Sequence, residues 1–379
     1  MHILISALSR FTQPTGLCRG AANLAKCLAA SEQVEQVTLV LGSWQRGYFE
    51  EDFQLNSPKI NILPIQIKNS SLKRNFWFMF NLPKLIKKLQ PDIAHFSFPI
   101  PFLNFLFSVP VVSTIHDFYP YEKPENFGFP NYLFNQLFTR MAIQNSDGIV
   151  CVSQDTLDRL KYYFPKVYAK GNSRVVYNYV DFEQTQSKLP HQLNLGTTPF
   201  ILSVAQHRKN KNLYLLIAAY AKLIEQHEIE PLTQLIFVGS TGPETGNLIE
   251  LIHKKSLADR VFLTSSIDDE QLCWLYQHCD LMVCPSSTEG FCLPLAEALY
   301  FSARVVCSDI PIFREVGASD CFYFDLKNNP VQNLSQAIVD ALKQPNSPLR
   351  TEPFRFSKSK AMNQYLEFYS TLKSKNNNK

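Results

Sequence analysis

Glu289 and Glu297 stand in STEGFCLPLAEALYF, separated by seven mostly apolar residues. The preceding DLMVCPSS reads as a buried strand, TEGFC as a turn, and Pro294 suits the first turn of a helix, where a missing amide costs nothing. The amides of Gly290, Phe291, Cys292 and Leu293 would then lie at the helix start without helical acceptors, and the helix dipole adds partial positive charge there. A phosphate fits such a place. A carboxylate beside an anion site needs its own reason. Vicinal hydroxyls of a sugar or ribose supply one, since a carboxylate accepts two hydrogen bonds from a diol while the amides take the phosphate. The plainer explanation is that Glu297 complements the dipole from the first turn and Glu289 is a solvated turn residue. Spacing alone leaves both open.

Three more places carry chemistry. The loop AQHRKNKN gathers the cations Arg208 and Lys211, and on charge alone a plain solvated loop is the better explanation of them. His116 closes the run STIH beside Asp117, where it can hydrogen-bond a sugar or simply serve the core. Gly16 in TQPTGLCRG permits close backbone approach to a ligand, or only a turn. There is no GxGxxG, no Walker-type glycine-lysine loop and no Cys/His array with zinc spacing, so dinucleotide, P-loop and structural zinc sites are disfavoured. The nine cysteines fall mostly in apolar segments and read as reduced thiols of a cytosolic protein.

Short apolar runs must position these residues. HILISA at 2, QVTLVLG at 36, DIAHFSF at 92, VPVVSTIHD at 109 and GIVCVS at 148 form one set, separated by helical patterns. FILSVA at 200, QLIFVGS at 234, RVFLTSS at 260, DLMVCPSS at 280, ARVVCSD at 303 and CFYFD at 321 form a second. Runs without alternation imply strands covered on both faces, hence parallel sheets: an α/β protein with two doubly wound, Rossmann-like domains. The polar stretch from Phe182 to Pro199 is the linker candidate. Residues 1–183 form the first domain and 184–357 the second.

The 379 residues carry 37 Lys and Arg against 33 Asp and Glu, too even a balance to imply a nucleic-acid partner. No run of eighteen apolar residues marks a spanning helix, and the start lacks a secretory leader's pattern. Cytoplasmic residence is expected. Residues 69–91 interleave Lys73, Arg74, Lys84, Lys87 and Lys88 with Phe76, Trp77, Phe78 and Phe80. Such a face suits the anionic surface of a membrane, or a helix with a core side and a solvated side.

PSSTEGFCLPLAEA at 285–298 resembles the glycosyltransferase family 4 pattern PSxxEGFGLPxxEA, with Cys292 in place of the second glycine. PTGLCRGAANLAKCL, VVYNYVD and SIDDEQLCWLYQHCDLMVCPSS resemble the family's first glycine loop, interdomain segment and approach to the donor site. The resemblance implies a GT-B fold, two domains facing a central cleft, a helix at 358–375 that rejoins the first domain, and a retaining, metal-independent transferase with no cofactor. It places Glu289 on the donor sugar, Glu297 on the ribose, Lys211 and Arg208 on the diphosphate, His116 and Gly16 beside the donor, and the backbone at Ser266 and Ile267 on the base. The family's glycine and arginine after the strand are Ala205 and Gln206 here, and a further frequent glycine is Ser302. By the same resemblance the donor is a UDP-linked glucose-type sugar with GDP-mannose next, and the acceptor a saccharide or lipid-linked oligosaccharide of a polysaccharide pathway. A nucleotide-sugar epimerase on the same fold, or an idle nucleotide-sugar-binding relative, remains the rival.

Overall fold

The computed structural model describes residues 1–183, 185–265, 267–344 and 354–377. Two units divide the chain: Met1–Tyr179 with Phe356–Lys379, and Val180–Arg355. The passage between them falls inside VVYNYVD.

The first unit is built on seven parallel strands, β1 (His2–Ser6), β2 (Gln36–Gly42), β3 (Ile60–Ile65), β4 (Ile93–Phe96), β5 (Val111–Ile115), β6 (Gly148–Cys151) and β7 (Ser173–Val175). Their order is β3-β2-β1-β4-β5-β6-β7. The second unit has six, β8 (Phe200–Val204), β9 (Gln234–Val238), β10 (Val261–Thr264), β11 (Leu281–Cys284), β12 (Val305–Ser308) and β13 (Phe322–Phe324), in the order β10-β9-β8-β11-β12-β13. Strand order reverses between β1 and β4 in one sheet and between β8 and β11 in the other, and in such sheets ligands gather beyond the carboxyl ends at that reversal. Strand β3 escaped the sequence reading because Pro64 and only partial burial disguise it. Its place at the sheet edge is what tolerates a proline.

Central strands such as β1, β2, β5 and β12 are buried almost throughout, as coverage of both faces requires. On the first sheet one face is covered by helix Gly16–Ala29 and the last helix, Lys358–Asn377, whose Tyr365, Phe368, Tyr369 and Leu372 enter the core with Ile3, Ile5 and Leu39. Burying each such side chain contributes roughly 2 kcal/mol. The fit is close: a Cβ added to Gly148 would stand 2.5 Å from Leu372 Cδ1 and 2.8 Å from Phe368 Cζ. Only glycine lets the helix lie this near β6. Lys373 Nζ meets Asp92 Oδ1 at 2.5 Å on the same helix.

The opposite face of that sheet is covered by Trp77, Phe78, Leu82 and Ile86. Residues 69–91 therefore split. Trp77 and Phe78 are core, while Leu72, Phe76 and Phe80 are 84%, 60% and 50% exposed beside exposed Lys73, Lys84, Lys87 and Lys88. Among the described residues no helix is long and apolar enough to cross a membrane.

Candidate functional site

The second sheet's reversal point brings together the two loops that the sequence singled out. After β11 the chain turns through residues 285–292 into helix Leu293–Tyr300, with Pro294 in its first turn. Cys292 caps this helix at φ 68°, ψ 76°, the left-handed region that favours glycine. Cysteine at the glycine position thus keeps the glycine backbone, at a cost of about 1 kcal/mol. Ser302, the other departure, is likewise left-handed, at φ 57°. Among the described residues the amides of Cys292 and Leu293 find no acceptor, which leaves them for an anion.

Neither plain explanation of the two glutamates survives. Glu297 lies beyond the first turn, is 7% exposed, and receives the hydroxyl of Tyr276 on Oε2 at 2.8 Å. Tyr276, on helix Asp269–His278, is itself buried and stacks on Phe301. Burial and the neighbouring carboxylate hold its phenol well above the usual range, so it stays a donor. Glu289 is no solvated turn residue either: its Oε1 stands 2.5 Å from Lys211 Nζ, with the two side chains 11% and 21% exposed. Burial opposes the Lys211 charge, but Glu289 and the thiols nearby outweigh it and hold the ammonium above its usual range.

The basic loop after β8 is stitched to the glutamate loop by asparagines that the sequence reading passed over. The Asn210 carbonyl accepts from the Ser287 amide at 2.8 Å, its Nδ2 donates to the Thr288 carbonyl at 3.2 Å, and Asn212 Nδ2 donates to the Pro285 carbonyl at 2.9 Å. Asn210 Oδ1 is buried with no partner among the described residues. These bonds fix Lys211 against Glu289; Arg208, three residues earlier in the loop, is half-buried.

A third loop braces the second. A Cβ on Gly239 would lie 2.0 Å from the Ala205 carbonyl oxygen, and one on Gly242 2.3 Å from that of His207. These glycines exist for close backbone approach. His207, 2% exposed, accepts from or donates to Thr245 Oγ1 through Nδ1 at 2.9 Å, while its Nε2 has no partner among the described residues. Burial holds its ring below the usual histidine range.

On the first sheet, His116 follows β5 and donates from Nε2 to the Ser97 carbonyl at 2.8 Å. That bond puts the proton on Nε2 and leaves Nδ1 as an acceptor. Burial lowers its pKa, with Ser97 and Asp117 opposing. Asp117 does not orient the ring through a hydrogen bond; its Oδ1 takes the Tyr119 amide at 3.0 Å. Behind it lies His95, missed in the sequence, wholly buried between Tyr369 Oη at 2.5 Å and Thr114 Oγ1 at 2.7 Å. Burial, reinforced by His116, pushes His95 down to about 3. Gly16 opens helix Gly16–Ala29, and a Cβ there would meet nothing within 4 Å. No packing demand inside the protein explains it. Ile267 is half-buried just before Asp268 caps the next helix, and Ser266 lies outside the described residues. Gly290 and Phe291 are buried beside Cys292. Among the described residues no cluster of His, Cys, Asp and Glu has metal-holding geometry.

Many known proteins are similar to this chain in sequence or in fold. The O-antigen biosynthesis glycosyltransferase WclY of Escherichia coli is 26% identical over 273 residues, 69% of this chain and 72% of the relative. The O-antigen chain mannosyltransferase RfbU of Salmonella typhimurium is 25% identical over 341 residues, 85% and 88% of the two chains. A GDP-mannose:cellobiosyl-diphosphopolyprenol alpha-mannosyltransferase of Xanthomonas campestris is 30% identical over 183 residues, 47% of this chain and 44% of that one. In fold, the sucrose-phosphate synthase of Thermosynechococcus elongatus superposes with a TM-score of 0.73 at 16% identity, covering 98% and 99% of the chains. WaaG, a glycosyltransferase involved in lipopolysaccharide biosynthesis, gives 0.69 at 16% identity, covering 99% and 98%. The architecture is that of the GT-B glycosyltransferases. Residues 14–184 match glycosyltransferase family 4 and residues 185–378, half of the chain, match glycosyl transferases group 1, the family to which this chain belongs.

Proposed function

We propose that the protein transfers a hexosyl residue from a nucleotide sugar to a saccharide or lipid-linked oligosaccharide during assembly of a cell-envelope polysaccharide. The observation that carries this is the Lys211–Glu289 pair clasped beside the open amides of Cys292 and Leu293, with Glu297 held by Tyr276 one turn further on. A diphosphate at the amides brings its charge to Lys211 and Arg208; Glu289 takes hydroxyls of the sugar and Glu297 those of the ribose. Ile267 and Ser266 carry the base, and His116 Nδ1 accepts from a donor-sugar hydroxyl, with Gly16 leaving room for the phosphates.

Transfer proceeds with retention. The acceptor hydroxyl attacks the face from which the nucleoside diphosphate leaves, the leaving phosphate takes its proton, and no carboxylate forms a covalent intermediate. Charge on the leaving group is met by fixed cations and amides, so the reaction runs without a metal or another cofactor. The donor is a UDP-linked glucose-type sugar or GDP-mannose; the activities in the names of the mannosyltransferase relatives favour the second. The enzyme works in the cytoplasm, against the membrane's inner face, with Lys73, Lys84, Lys87 and Lys88 toward the headgroups.

Calorimetry with UDP, GDP, ADP and their sugars in EDTA tests the reading, repeated on Glu297→Ala and on the double change of Arg208 and Lys211 to alanine. One nucleotide should bind best and be weakened by both variants. Binding that ignores both, or no binding in a folded protein, overturns it; conversion of donor without any acceptor would point to an epimerase.

A further inference from the structure

Arg74 is a buried cation with no counter-ion among the described residues. It is 8% exposed, yet its guanidinium reaches only Asn69 Oδ1 and Ser71 Oγ, and among the described residues no carboxylate pairs with it. A buried charge normally has an opposite charge beside it. Here the neighbour is another cation. Burial, and then the positive charge of Arg10, hold the Arg74 guanidinium below the usual arginine range, though still protonated.

Arg10 is held there by design of the loop that bears it. The Ser9 amide donates to Gln45 Oε1 at 2.9 Å, the Trp44 indole donates to the Ser9 carbonyl at 3.1 Å, and Asn69 Nδ2 donates to the Arg10 carbonyl at 3.0 Å. Asn69 thus ties the Arg10 backbone to the Arg74 side chain. The two segments leave the carboxyl ends of β1 and β3, the same edge that bears Gly16 and His116. Both segments are also free of acid: residues 1–31 and 53–91 together hold ten of the 37 Lys and Arg and none of the 33 Asp and Glu. No carboxylate within these stretches can neutralise the pair. Leu72, on the helix that carries Arg74, is 84% exposed, and Phe76 is 60% exposed.

We propose that Arg10, Asn69 and Arg74 form an anion site that takes the phosphate of an amphiphile, its apolar chain lying along Leu72 and Phe76. A phosphate fits because two guanidinium groups can each present paired N–H donors to its oxygens, and because it replaces the missing counter-charge of Arg74. In the transferase reading, on which this assignment of the ligand rests, the phosphate belongs to a lipid-linked acceptor; a bilayer headgroup has the same chemistry.

The test is calorimetry of the full chain with geranyl diphosphate, comparing the wild type with Arg10→Ala and Arg74→Lys. Arg10 is exposed, so its loss leaves folding intact, and Arg74→Lys keeps the buried charge while losing the planar fork. Each should weaken binding on the order of tenfold. In parallel the variants are sedimented with phosphatidylglycerol and with phosphatidylcholine vesicles. Weakening toward geranyl diphosphate identifies the acceptor's own diphosphate as the ligand, and weakening toward phosphatidylglycerol vesicles alone identifies the bilayer. Unchanged binding of both in folded variants overturns the site. Nucleotide binding on the same samples reports separately on the transferase reading, because the variants leave untouched Arg208, Lys211 and Glu297, to which the diphosphate and ribose are assigned.

Discussion

At the carboxyl edge of the second sheet Lys211 already holds a carboxylate, Glu289, at 2.5 Å; at that of the first, Arg74 is as deeply placed and has only an amide and a hydroxyl. The second edge has this pair formed before any ligand arrives, and there the Glu297 carboxylate accepts the neutral hydroxyl of Tyr276. The first edge keeps a surplus. A balanced site resembles a preorganised polar environment that loses little on binding, whereas a surplus gains a counter-charge only from outside. Replacing one partner should therefore have opposite consequences in the two places.

The largest effect is expected from Lys211→Met, which strands Glu289. Stability should fall by about 2–3 kcal/mol, read as a lower urea midpoint at unchanged slope. If the variant is as stable as the wild type, the second edge is not balanced by this pair and the contrast fails. Next is acid. Unfolded His95 binds a proton near 6.5 and the folded ring only near 3, so the unfolded state gains protons first as pH drops. Stability from this group is complete above about 6.5 and is lost on going down toward 3, by up to about 1.4 kcal/mol per pH unit. His95→Gln should flatten that slope in thermal melts; an unchanged slope would assign acid sensitivity to other groups. Tyr276→Phe removes one donor from Glu297 and should raise donor KM on the order of tenfold with a smaller change in kcat. It should also narrow the preference for a ribonucleotide over its 2′-deoxy counterpart, a readout that mere loosening of the core would not move. The smallest effect belongs to Arg10→Met: it lifts a cation from over the Phe11 ring and strands no carboxylate among the described residues, so stability should stay within about 0.5 kcal/mol of the wild type.

Much of this was legible in the order of residues. Unbroken apolar runs such as QVTLVLG and DLMVCPSS announced strands covered on both faces, and PSSTEGFCLP announced a strand-turn-helix with proline in the first turn. What stayed hidden depends on partners distant in the chain. Spacing could not reveal that Glu289 meets Lys211, 78 residues away, a contact made only when β8 and β11 lie side by side, or that Tyr276 meets Glu297 from the helix on the other side of β11. Nothing in the sequence marks Gly239 and Gly242, which only the Ala205 and His207 carbonyls explain. His95 was read as part of a strand, which it is. Its partner sits on a helix 274 residues later.

That last contact bears on the order in which the molecule can be made. Strands β1 to β7 leave the ribosome early, but Tyr365, Phe368, Tyr369 and Leu372, which close their core, appear only after the whole of the second unit. Until then Gly148 has no helix above it and His95 lacks its Tyr369 hydroxyl. The second unit, whose strands and helices lie in one continuous stretch, can finish first, reversing the usual amino-to-carboxyl sequence of domain completion. A nascent chain halted before residue 358 would carry a completed second unit and an apolar first sheet still waiting for its cover, and would be the form most in need of a chaperone.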